Sequence, residues 1–276
     1  MLHTVQESYM NADVNKPAAA VATSGGKKKG VIRFLQVLYC LYAIFWFVAL
    51  MFIVVVLALL SALFGKLKGG NMVYIICNWW ARAWYFLIGI HHREIYEALH
   101  NRQKQYIFVA NHISYMDIPC IVRALHQPVR VLGKHEMVKY PVFGIIYRLA
   151  AILVDRSSPE KRAQSIRALK AALHKGISIF IFPEGTFNET GKPLKDFYDG
   201  AFRVAIETQT PIKPVLFIDT LERMHYRGLF ELTPGKCRCV FLEEISVDGY
   251  AIKDISSLKQ HVYAKMEEGL KRWRTY

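Results

Sequence analysis

The sequence predicts an α/β fold: a largely parallel sheet flanked by helices, with an N-terminal membrane-anchoring helical segment ahead of it. Three observations predict it. No charged residue occurs from Phe34 to Phe64. From about His91 onward, short runs rich in Val, Ile and Phe alternate with helix-length segments. Strands separated by helices imply a parallel sheet covered on both faces. Two of the apolar runs lead directly into motifs bearing His, Asp, Glu and Gly. In such sheets functional groups collect beyond the carboxyl ends of the strands.

Residues 1–30 are polar, Ala/Gly-rich and aperiodic, and read as a flexible basic tail ending in Lys27-Lys28-Lys29. Residues 31–90 read as a membrane anchor, a long apolar helix plus an interfacial helix. The apolar core of a signal peptide is shorter than Phe34–Phe64. As ideal helix that stretch spans roughly 46 Å at about 1.5 Å per residue. The hydrocarbon core is only about 30 Å thick, so the helix must tilt, protrude or bend. The second stretch, Met72 to Ile90, contains Asn78 and Arg82 and is rich in tryptophan: Trp79, Trp80 and Trp84. Tryptophan prefers the headgroup region, which suggests an interfacial helix or the return arm of a shallow hairpin. Basic residues flank both sides of the first segment: Lys27–Lys29 and Arg33 before it, Lys66 and Lys68 after it. That pattern sets no clean orientation, and it suits both ends being cytosolic. A single span and a hairpin both fit.

Residues 91–276 carry the alternation. Gln105–Ala110 is a strand, Ile118–His126 a short helix with Pro119 in its first turn, and Val129–Leu132 a strand. Val142–Leu149 is a short helix and Ala151–Val154 a strand. Pro159–His174 is the best-marked helix: Ser158 caps it, Pro159 suits the first position and Gly176 lies just past its end. Gly176–Phe182 is a buried-type strand. Helix Gly200–Thr208, strands Ile212–Ile218 and Lys236–Leu242, and helix Ile255–Arg274 complete the series.

Composition narrows the function. Lys and Arg exceed Asp and Glu by 36 − 22 = +14. A cationic chain suits nucleic acid, anionic lipid or a phosphorylated substrate. An apolar content of 53% with a mean hydropathy of +0.17 argues against nucleic acid and for a bilayer. Cys237-x-Cys239 is not a zinc spacing and has no second pair, so it reads as two ordinary thiols on one face of a strand. Nothing demands an oxidising compartment.

Two motifs carry chemistry. Asn111-His112-Ile113-Ser114-Tyr115-Met116-Asp117 follows the strand ending at Ala110. A histidine there is a candidate general base, and a carboxylate on its other ring nitrogen would fix the tautomer and stabilise the imidazolium. Positions five apart meet only if the chain turns between them. Asp117 alternatively reads as a helix N-cap, or as the acid of a Ser114-x-x-Asp117 capping box. The second motif, Phe182-Pro183-Glu184-Gly185-Thr186, again ends a strand, and a Gly-bearing loop there can offer N–H groups to an anion. No Gly-x-Ser-x-Gly elbow of a serine lipase is present.

Together the two motifs resemble the glycerolipid acyltransferase family, in its 1-acyl-glycerol-3-phosphate acyltransferase branch, over roughly residues 90 to 220. Its Asn-His-x-Ser-x-x-Asp block matches Asn111, His112, Ser114 and Asp117. A lysine-bearing block resembles Gly133 to Met137. Gly-x-x-x-Arg running to Asp-Arg matches Gly144, Arg148, Asp155 and Arg156. Phe-Pro-Glu-Gly-Thr matches Phe182 to Thr186, Gly-Ala-Phe-Arg matches Gly200 to Arg203, and a Pro-Val pair matches Pro214-Val215. The resemblance implies that 91–276 is an acyltransferase domain on the cytoplasmic side of a membrane. His112 and Asp117 would be catalytic, and Asn111, Ser114, Lys134, Arg156, Glu184, Gly185 and Thr186 substrate-binding. The donor would be acyl-CoA or acyl carrier protein and the acceptor a membrane lysophospholipid, with no metal or other cofactor. The family usually follows its Phe-Pro-Glu-Gly-Thr block with Arg-Ser; this chain has Phe187-Asn188. That arginine is associated with the acceptor's phosphate. Lys134, Arg156 or Arg203 would have to replace its charge, or the acceptor would be another lyso-lipid, such as a lyso-ornithine or lyso-glycine lipid. A catalytically inert membrane adaptor would be expected to have lost His112 or Asp117, and both are present.

Overall fold

The computed structural model describes residues 24–140, 143–154 and 158–274. Two apolar helices, α1 (Ser24–Ala62) and α2 (Gly65–Leu87), open it. The first helix starts at Ser24, inside the segment expected to be tail; residues 1–23 lie outside the described residues. Cys40, Ala43, Met51, Val54, Ala58 and Ser61 are its buried residues. Their spacing makes one narrow face, and most are small, so α2 packs close. At the turn only glycine fits at position 69, where a Cβ would stand 2.2 Å from the Ser61 carbonyl oxygen. The second helix then runs back along the first. Trp84 Nε1 donates to the Ala43 carbonyl (2.9 Å) and the Tyr42 hydroxyl to that of Leu87 (3.1 Å). Phe47 meets Trp80 and Trp84 edge-on at 5.1 and 5.2 Å.

The two helices thus pack as a hairpin. Trp80 and Trp84, expected at the headgroups, are buried between the helices, and only Trp79 is exposed. The other face of α2 is held by the rest of the chain. The Tyr74 hydroxyl donates to the Leu125 carbonyl (2.9 Å), Asn78 Nδ2 to that of Val122 (2.5 Å), and Arg130 Nη2 to Asn71 Oδ1 (3.0 Å).

Among the described residues, seven strands form one sheet. They are β1 (Ile90–Tyr96), β2 (Ile107–Ala110), β3 (Val129–Lys134), β4 (Ala151–Val154), β5 (Ser178–Ile181), β6 (Ile212–Phe217) and β7 (Gly235–Phe241), in the order β1-β7-β6-β2-β5-β3-β4. The run from β6 to β4 is parallel, β7 is antiparallel to β6, and β1 is parallel to β7. The β1 strand was not expected. It reads Ile-His-His-Arg-Glu-Ile-Tyr, and its partner among the described residues, β7, lies far along the chain.

The helices α3 (Asp117–Ala124), α4 (Phe143–Ala150), α5 (Pro159–Leu173), α6 (Gly200–Thr208), α7 (Thr220–Arg223) and α8 (Ile255–Trp273) complete the fold. Period-two alternation splits the strand residues between two cores. Phe108, Ala110, Phe180, Val215, Cys237 and Cys239 face the core shared with α1 to α4. Ile107, Val109, Ile179, Ile181, Leu216 and Val240 face the core shared with α5, α6 and α8. The predicted strands and helices therefore fall in three layers, and the hairpin belongs to one of them.

Candidate active site

The site lies where β2, β5 and β6 end. Asn111 follows β2 directly and is fully buried. Its Oδ1 accepts from the Phe217 N–H (2.8 Å) and its Nδ2 donates to the Phe217 carbonyl (3.0 Å). Both ends of the amide thus tie the loop to β6, and Asn111 braces the two strand ends. Ser114 braces the loop in the same way. Its buried hydroxyl donates to the Met224 carbonyl (2.5 Å) and accepts from the Met116 N–H (3.0 Å).

Those ties turn the chain so that His112 and Asp117 meet. His112 Nδ1 lies 2.8 Å from Asp117 Oδ2. The same oxygen accepts from the N–H groups of Ile113 (2.7 Å) and Ser114 (2.9 Å). Asp117 is fully buried, whereas the His112 side chain is 16% exposed. The carboxylate accepts from Nδ1, so in the neutral imidazole Nδ1 carries the proton and Nε2 keeps its lone pair. The capping alternative is also realised in part. The Ser114 N–H to Asp117 contact is the return half of a capping box. Yet Met116, not Asp117, is the N-cap of α3, and it makes no side-chain cap bond. Asp117 does both jobs with one oxygen, while its Oδ1 has no partner.

The second motif packs against the first. Phe182 stacks flat on the His112 ring, 3.8 Å between centroids. Glu184 is fully buried. Its Oε1 accepts from the His112 N–H (2.8 Å) and its Oε2 from the Lys195 N–H (2.8 Å). Burial pushes the Glu184 carboxyl up to about 7, against the two amides that favour its ionised form. With both oxygens engaged, Glu184 clamps one motif loop to the other. Gly185 adopts φ +74°, which turns the loop sharply. The Asn188 N–H donates to the His112 carbonyl (2.7 Å).

A cavity of about 1000 Å³ opens from His112. Gly185, Thr186 and Lys134 share its wall with apolar side chains of α1, α2 and α4, among them Phe47, Met51, Trp80 and Ile146. Arg156 lies outside the described residues, and Arg203 is exposed on α6. Sequence reasoning missed two residues of the wall. Lys195 Nζ donates to the Thr186 hydroxyl at 2.9 Å. Phe187 stands 4.3 Å from the His112 ring and edge-on to Tyr115 at 4.9 Å. Lys195 sits in a loop with no motif to mark it; Phe187 had been noted only as a departure.

This is the geometry of a general base opening onto an apolar chamber. Residues 90–218 match the Acyltransferase family model. Over that segment the chain is similar to the acyltransferase family. It is 29% identical over 210 residues to the 1-acyl-sn-glycerol-3-phosphate acyltransferase of Haemophilus influenzae, a match spanning 74% of this chain and 84% of the relative. The enzyme of the same name from Limnanthes douglasii is 29% identical over 274 residues, 96% of this chain and 92% of its own. Among solved structures, the 1-acyl-sn-glycerophosphate acyltransferase of Thermotoga maritima superposes with a TM-score of 0.71. That match covers 90% of this chain and 98% of the other at 22% identity, which establishes a shared fold. The His112–Asp117 pair lies at the strand ends, inside the matched segment.

Proposed function

We propose that this acyltransferase moves a fatty acyl chain from an acyl thioester, on coenzyme A or acyl carrier protein, to the free hydroxyl of 1-acyl-glycerol-3-phosphate, giving phosphatidic acid. The observation that carries the reading is the His112–Asp117 pair at the mouth of the apolar cavity. His112 Nε2 removes the acceptor's hydroxyl proton as its oxygen attacks the thioester carbonyl. Asp117 holds the ring and offsets the charge of the imidazolium. The tetrahedral intermediate expels the thiolate, which recovers the proton from His112. A cavity of this volume suits a drug-sized or acyl-chain ligand. Lys195 and Lys134 are the described cations of the cavity wall that would meet the acceptor's phosphate.

Membrane attachment belongs to the same reading. The helix Gly30–Ala62 is long and apolar enough to cross a bilayer. However, α1 is tied to the rest of the chain near both ends. Arg33 pairs with Glu231 at 3.2 Å, and the residues near Ser61 pack on α2. A hairpin lying in one leaflet, with Phe34, Leu38, Phe45 and Phe52 outward, fits this better than a span. The active site then opens toward the cytoplasmic surface.

A lyso-aminolipid acceptor is the second reading. It is favoured by Phe187, which with Tyr115 puts aromatic surface beside His112. The deciding experiment is an acceptor panel with purified protein in detergent and radiolabelled acyl-CoA and acyl carrier protein. Turnover of lysophosphatidic acid well above lyso-ornithine and lyso-glycine lipids supports the first reading. In that case Lys195→Met and Lys134→Met should raise KM for the acceptor more than for the donor. Preference for an acceptor without phosphate replaces the first reading with the second.

A further inference from the structure

We propose that His92, Cys120 and Cys237 form a buried binding site for a zinc-class divalent cation, which pins α3 to the β1–β7 edge of the sheet. The inference stands apart from the choice of donor or acceptor. Three separate elements supply the donors: β1 gives His92, α3 gives Cys120 and β7 gives Cys237. One ligand atom from each lies within 4.8 Å of the other two. A tetrahedral site with metal–sulfur bonds of about 2.3 Å and metal–nitrogen bonds of about 2.0 Å sets its ligand atoms roughly 3.5–3.8 Å apart. Small side-chain shifts would close the set. His92 Nδ1 already faces Cys120 Sγ at 4.0 Å.

The surroundings of His92 match those of a metal ligand. A ligating imidazole usually directs its second nitrogen at a carboxylate. His92 Nε2 lies 3.7 Å from Glu94 Oε1, within ion-pair reach though too long for a hydrogen bond, and no other group bonds it. Glu94 is itself held by Arg123 and His126 at 3.2 and 2.8 Å. The charge also balances. A divalent cation with two thiolates and a neutral imidazole is neutral overall, as a buried apolar setting requires. Each thiol gives up one proton on binding. Cys239, two residues along the same face of β7, and the buried Tyr85 hydroxyl beside Cys237 are the candidates for a fourth position. The alternative is a cluster of thiols packed as small apolar groups.

Its place gives the site a consequence. Cys120 stands one helical turn after Asp117 on α3. A cation there would hold the start of the helix that orients His112, without touching substrate. The test uses the full chain purified in detergent. Elemental analysis should find about one zinc per chain. After removal of bound metal, added Co²⁺ should give an intense thiolate-to-cobalt charge-transfer band saturating near one equivalent. Chelation should lower the melting temperature, and zinc should restore it. Cys120→Ser and Cys237→Ser should lose the band, while Cys77→Ser, a buried cysteine outside the cluster, should keep it. If the two serine variants fail to fold, the wild-type cobalt titration decides alone. Absence of the band in wild type, or its persistence in folded Cys120→Ser and Cys237→Ser, overturns the proposal.

Discussion

At the scale of single residues, Asp117 separates two roles that sequence could only set against each other. One oxygen takes His112 and two backbone amides, and the other is buried without a partner. Asn can therefore keep its oxygen on all three donors and place its amide in the unpartnered position. We expect Asp117→Asn to keep its melting temperature within a few degrees and to lose most activity, because the imidazolium loses its counter-charge. Unchanged turnover would assign Asp117 to the loop alone. His112→Ala should cost about 10²–10⁴-fold in rate with the fold intact; near wild-type turnover would remove it from the mechanism.

Glu184 gives a pH signature. Its folded carboxyl is pushed up from 4.5 to about 7 by burial, so the folded chain keeps a proton that the unfolded chain has released. Its favourable contribution is complete below about 4.5 and is lost as pH rises through about 7. Compared with Glu184→Gln, which does not titrate there, wild type should lose melting temperature across that window. A flat difference between the two contradicts the assignment.

At the scale of elements, the hairpin is a wall of the candidate active site as well as the proposed anchor. Its α2 helix bonds to the end of α3 through Tyr74 and Asn78, and both its helices line the cavity. Ala150, at the end of α4, lines the same cavity and is half-buried. Ala150→Phe should shorten the preferred acyl donor. Excluding two methylenes at about 0.8 kcal/mol each corresponds to roughly tenfold in selectivity. Competition between donors of different length measures this, and an unchanged preference would place the chain elsewhere.

At the scale of the whole molecule, the proposed anchor and the candidate site share one body. The outward face of α1 leaves Phe45 and Phe52 exposed at 63% and 57%. We expect the full chain to float with neutral lipid vesicles in high salt, since apolar insertion is not screened. Phe45→Glu with Phe52→Glu should abolish flotation and leave the melting temperature in detergent unchanged. Flotation that persists would place the anchor on another surface. Removing α1 and α2 altogether is a different experiment. It strips the cover from Phe108, Phe180 and Phe217, and the expected result is aggregation.

The sequence by itself determined what depends on neighbours in the chain. Helix α6 and strand β4 fall at their predicted bounds, and α5 starts at its predicted cap. The charge-free run gave an apolar helix, and the two strand-end motifs gave His112 and Asp117. These signals are local: period, caps, and the residue types that chemistry needs. Only the tertiary structure decided what depends on residues distant in sequence. It paired β1 with β7, buried Trp80 and Trp84 in a hairpin, and made Asn111, Ser114 and Glu184 braces between loops. It brought Lys195 and Phe187 into the cavity wall, and His92 to Cys120 and Cys237. A polar side chain carries the same letter whether it binds substrate or a backbone amide. What separates the two is which groups the fold sets within hydrogen-bond reach, and no spacing along the chain records that.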